Sequence, residues 1–100
     1  MDVNSFCGMM QSEINALKAR VYDITRAVEK VKDKEKKKQA AELTDLHALI
    51  DHLSKLTRKL ENECPLDWSK ERENIEEKKA ELIEKIDIFD SEHLAGLVDN

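Results

Sequence analysis

The sequence predicts an all-α protein, an antiparallel three-helix bundle or helical coiled-coil hairpin, and three observations predict it. Aromatic residues make up only 4% of the 100-residue chain, with 2 Gly and 1 Pro, too few for the turn-rich, aromatic strands of sandwiches and barrels. Charged residues reach 39% and hydrophobic ones 40%, a balance dominated by Ala, Glu, Lys and Leu and typical of long helices. Apolar residues also recur with helical and not strand periodicity. The length suits one domain.

The first helix is expected over about 5–32. Asn4 or Ser5 is placed to cap it, accepting a bond from an N–H that has no partner inside the helix. Met10, Ile14, Leu17, Val21, Ile24, Val28 and Val31 follow at alternating spacings of four and three. That is an unbroken a/d heptad seam, narrow enough to face one or two partner helices.

The seam then stops. Residues 32–39 contain no apolar side chain, and continuing the heptad phase would put Glu35, Lys38 and Glu42 in the core, where burial of charge is costly. This segment is expected to be a connection. The alternative is one long helix over about 5–62 with a shorter helix folded back on its second half. The lack of Gly, Pro or Asn between 16 and 61 favours that alternative, as do lysines that oppose the dipole of a new helix. It would leave the first seam unsatisfied within the chain and so require a dimer.

The second helix is expected over 39–63. Leu43, Leu46, Leu49, Ile50, Leu53, Leu56 and Leu60 form a stripe wide enough to touch two neighbours. Pro65 removes an N–H and restricts Cys64 to extended geometry, so the helix breaks there. Asp67 is the expected cap of a third helix over 67–89, with Trp68, Ile75, Leu82, Ile83, Ile86 and Phe89 on its apolar side. A short turn over 91–98 ends the chain.

The net charge of −5 argues against general nucleic-acid binding, which needs a dominant basic face. No apolar run approaches the roughly 18–20 residues of a membrane span. The first ten residues hold no Lys or Arg, unlike a secretory signal, and two cysteines 57 positions apart form no metal or disulfide pattern. A cytoplasmic location is therefore expected.

Chemistry-bearing constellations are sparse. His47 and Asp51 share a helix face at i, i+4, but two ligands make no metal site, and His52 lies about 140° round the helix. Cys7 and Cys64 fit small apolar positions at helix ends; in the three-helix reading they share one end of the bundle, and in the long-helix reading they lie about 85 Å apart. The run Lys30–Lys38 holds six lysines and no aromatic residue for base stacking; a solvated segment is its simplest reading, an anionic partner the sharper one. Trp68 is expected to cover the bundle end over Leu53, Leu60 and Met10. No catalytic, cofactor-binding or metal residue is predicted. The expected function is a non-enzymatic interaction or scaffold module. It is expected to oligomerise, most simply as a dimer, or to dock a partner helix through Met10, Ile14, Leu17, Val21, Ile24, Val28, Val31, Leu46, Leu53 and Leu60. The alternative is a small secretion- or assembly-type chaperone that shields a client helix.

Overall fold

A computed structural model describes residues 1–30 and 33–94, with side-chain surroundings for 1–30 and 37–92. It is a three-helix bundle of α1 (Val3–Val28), α2 (Asp33–Glu63) and α3 (Ser69–Phe89), closed by a π-helical turn, Asp90–Leu94. No strand occurs among the described residues. Helix α2 has 31 residues, about 46 Å at 1.5 Å per residue, which accounts for the long axis of the 51 × 22 × 16 Å molecule. A single helix over 5–62 would need about 85 Å. The long-helix alternative is thereby excluded, since the chain reverses after Val28.

The direction of each helix follows from its cross-links. Cys7 on α1 donates from Sγ to the Thr57 carbonyl at 3.6 Å, so the start of α1 lies beside the end of α2. Glu13 pairs with Lys79 and Arg20 with Asp87, both at 2.9 Å. Those partners are 66 and 67 positions apart, a nearly constant offset that only parallel helices give. Helix α2 is antiparallel to both neighbours and packs against each, while α1 and α3 approach one another less closely. The central position of α2 explains why its apolar stripe is broad and that of α1 narrow.

The core takes Phe6, Cys7, Met10, Ile14, Leu17, Val21, Ile24 and Val28 from α1. It takes Leu43, Leu46, Ile50, Leu53 and Leu60 from α2, and Ile75, Leu82, Ile86 and Phe89 from α3. Leu49, Leu56, Trp68 and Ile83 pack against its edge. All the seam positions from Met10 to Val28 therefore face the other two helices of the same chain. Val31 lies outside the described residues.

Five boundaries differ from expectation. Helix α1 starts earlier because Asp2, and not Asn4 or Ser5, is the cap: Asp2 Oδ1 accepts the Ser5 N–H at 2.7 Å, and this bond holds its carboxyl below the usual carboxylate range. Helix α1 also ends four residues sooner, at Val28. Helix α2 starts at Asp33, so Lys34 to Lys38 belong to its first two turns. Lysine is a good helix former, so a helix anchored by its later turns extends through such a run without apolar side chains. Helix α3 starts at Ser69, with Trp68 at the cap position; Asp67 still serves the end by accepting from Ser69 N at 3.2 Å and Ser69 Oγ at 2.6 Å. The break at Pro65 is where it was expected, but Cys64 has φ 41° and is not extended. This left-handed geometry ends the helix and lets the Cys64 N–H reach the Leu60 carbonyl at 3.0 Å. The expected terminal turn begins one residue earlier, and its positions beyond Leu94 lie outside the described residues.

Two polar residues sit in the core. Thr57 is satisfied, its hydroxyl donating to the Leu53 carbonyl at 2.9 Å. Gln39 is 3% exposed and its Oε1 has no partner. A buried acceptor left unpaired costs about 1–3 kcal/mol, and an apolar residue of similar size removes that cost. Gln39→Leu is expected to stabilise the protein by about 1 kcal/mol, read as a rise of about 4–8 °C in thermal midpoint. An unchanged or lower midpoint would show that Gln39 makes a bond worth keeping.

Candidate interaction surface

The expected interface residues on α1 and α2 are interior residues of one chain. Met10, Ile14, Val21 and Leu53 are 0% exposed, Leu60 is 1%, and Leu17, the most exposed of the set, is 7%. A partner that docks on the folded bundle meets other residues. Among the described residues the exposed large apolar side chains are Met1, Met9, Tyr22, Leu66 and Ile88. Leu66 stands free of the bundle at the α2–α3 corner, at 105% exposure, while Ile88 is 47% exposed on α3.

At that corner Trp68 packs against the core, and its aromatic neighbour is Phe6, a residue not among the expected core positions. The two ring centroids are 5.2 Å apart, with the rings tilted by 49°. The Arg72 guanidinium lies 5.3 Å from the Phe6 centroid and 5.7 Å from that of Trp68, and pairs with Glu76 at 3.4 Å. The three residues close the end of the bundle. Phe6 lies four residues before Met10, on the same helix face, and that spacing was the signal for it.

The other candidate chemistry is dispersed. His47 and His52 are exposed on α2, and His93 falls in the terminal π-helical turn. Among the described residues no three His, Cys, Asp or Glu side chains converge as a metal ion would require. Lys30, Lys37 and Lys38 are exposed; Lys32 lies outside the described residues. The i, i+4 pair of Glu81 with Lys85 forms at 3.6 Å, and Lys78 joins Glu81 at 3.5 Å. No described helix is long and apolar enough to cross a membrane.

The two cysteines share one end of the bundle, as the three-helix reading expected, but only Cys7 is a core residue. Burial raises the Cys7 thiol pKa, and Glu61 and Cys64 nearby add to the rise. Cys64 is exposed because the left-handed cap carries it off the α2 stripe. The native protein is expected to release one equivalent on thiol titration and the denatured protein two. Cys7 should react at least about a hundredfold more slowly than Cys64, because labelling it requires opening of the helix pair. Equal rates would place Cys7 at the surface.

Along the α2–α3 groove lie two small cavities. One, of about 220 Å³, is floored by Leu46 and Phe89, walled by Ile88 and rimmed by Glu42, Asp45, Lys85 and Glu92. The other, of about 160 Å³, is floored by Leu60 and Ile75, walled by Leu56 and rimmed by Lys59, Glu63, Asn74 and Glu71. A wider, polar hollow of about 470 Å³ lies at the corner between Leu66 and Glu76. No known protein family, curated protein or solved structure matches the chain.

Proposed function

We propose that this chain is a non-enzymatic protein–protein interaction module that works as a rigid helical scaffold and binds through its outer faces. The observation that carries the reading is the division of its apolar residues. The heptad seams are spent on the chain's own core, yet Leu66 and Ile88 stay exposed and the α2–α3 groove keeps apolar floors beneath a charged rim. Apolar anchors set in a polar surround are the usual anatomy of a protein contact. Cross-helix ion pairs at Glu13–Lys79 and Arg20–Asp87 brace the faces against one another.

The test places a photo-crosslinking phenylalanine analogue at Met9, Tyr22, Leu66 or Ile88 in turn, in the full chain within its native cell. An adduct of defined mass at one or more positions is the expected result. A mass of twice the chain identifies a homo-oligomer, and one small polypeptide in a 1:1 complex identifies a chaperone and its client. Absence of adducts from all four positions would overturn the interaction reading.

A further inference from the structure

The two corners of the bundle are built differently. At the α2–α3 corner Cys64 is left-handed, with φ 41°, and Pro65 follows it, so no helix runs through. The α1–α2 corner has neither device. Helix α1 ends on Glu29 in right-handed helical geometry, φ −60° and ψ −23°, and α2 begins at Asp33. No Gly, Pro or Asn occurs between 16 and 61. Lys34, Lys36, Lys37 and Lys38 fall in the first two turns of α2, where positive charge opposes the helix dipole; in the middle of a longer helix it would not.

The core faces of α1 and α2 are also in phase across this corner. At about 100° per residue, a helix running straight through it places every described buried residue of α1, from Phe6 to Val28, and of α2, from Gln39 to Leu60, within one arc of about 100°. A hairpin does not require this agreement, because its turn is free to set the second helix at another rotation. A continuous helix with one buried side does require it.

We infer that the chain also forms an exchanged dimer, in which α1 and α2 run on as one helix and α1 packs on a second copy of this chain. A two-fold axis at the former corner sets the two long helices antiparallel. Each α1 then lies against α2 and α3 of the other copy, and the pairs Glu13–Lys79 and Arg20–Asp87 form between chains. Both halves of the long helix turn the same side toward their neighbours in this arrangement, and the shared arc supplies that side. The surface offered to the α1 seam is identical to the one it covers in the monomer, so no new complementarity is needed. The reversal after Val28 keeps the long helix out of the closed chain described above; a pair of chains accommodates it. The dimer doubles the outer faces and puts the two α2–α3 corners about 90 Å apart, at opposite ends. The inference goes beyond the interaction reading and uses only contacts internal to the bundle, so the failure of either leaves the other standing.

The experiment unfolds the full chain in denaturant with reductant present and refolds it at about 1 µM and at about 1 mM, since exchange passes through the open chain and dimers form by mass action. Refolding at the higher concentration is expected to yield a dimer with a maximum dimension of about 90 Å by small-angle scattering, against 51 Å for the monomer. A donor and an acceptor dye on Met9→Cys and the exposed Cys64, with the labelled chain diluted into unlabelled chain before refolding, report the separation within one chain; Cys7 is buried and stays unlabelled. That separation is expected to lengthen from about 20 Å in the monomer to about 80 Å in the dimer, with loss of energy transfer. Lys30→Gly, at an exposed position, weakens the long helix once in each chain. It should loosen the dimer by at least about tenfold and move the thermal midpoint of the monomer by less than about 3 °C, with circular dichroism as the check on folding. Monomer alone at both concentrations, a dimer that keeps the energy transfer of the monomer, or a dimer that Lys30→Gly leaves equally tight would each overturn the inference.

Discussion

Leu53→Ala is expected to cost about 3–4 kcal/mol and to lower the thermal midpoint by about 15–25 °C. Leu53 is 0% exposed at the middle of α2, the one helix that packs against both others. Truncation there opens a void that the packed neighbours fill only in part. A domain of this size holds on the order of 5–15 kcal/mol in total, so the variant should unfold at markedly lower denaturant concentration. Leu66→Ala is the control: the same atoms are removed from a side chain at 105% exposure, and the change should stay within about 0.5 kcal/mol. Similar losses from both substitutions would mean that α2 is not central to the bundle.

The contrast between those two leucines also shows what the sequence reveals and what it hides. Periodicity separates them: Leu53 belongs to a run at spacings of three and four, while Leu66 stands alone after a proline. The α1 seam from Met10 to Val28, the α2 stripe and the α3 positions Ile75, Leu82, Ile86 and Phe89 were legible for the same reason. The helix limits were less so. An apolar pattern reports where a helix packs on its neighbours through apolar side chains and not how far the helix continues beyond them, so the lysine turns of α2 left no mark in it. Caps are similarly ambiguous, because Asp2, Asn4 and Ser5 can each accept an amide bond and only the path of the chain decides.

The groove was partly legible. Leu49 and Leu56 widen the α2 stripe, and Leu56 reaches the cavity that α2 shares with α3. Ile86, Ile88 and Phe89 crowd three large apolar residues into four positions, and at 100° per residue they cannot all point inward. Ile88 is the one turned out, onto the wall of the larger cavity. The cavities themselves depend on the register between α2 and α3. Loop length and side-chain volume set that register together, and neither the heptad pattern nor composition contains it.

Phe6→Ala is the second large effect expected, a loss of about 3–5 kcal/mol with a specific optical signature. Phe6 is 0% exposed, yet it lies at the end of the bundle and not at its centre. It is buried because α3 delivers Trp68 and Arg72 over it, at 5.2 and 5.3 Å. Removing the ring withdraws one face of the Trp68 packing and one of the two platforms under the Arg72 guanidinium. Trp68 is the only tryptophan, so its emission should shift to longer wavelength in the folded variant as water reaches the indole. Phe6→Leu separates the contributions: it restores most of the volume and should recover about half of the stability, but the Trp68–Arg72 arrangement should stay loosened. If Phe6→Ala left both the stability and the emission unchanged, the end of the bundle would be held by the α2–α3 corner alone, with α1 free to fray from Asp2 to Cys7. Rapid labelling of Cys7 would then accompany the unshifted emission, so the two measurements test the same contact from opposite sides.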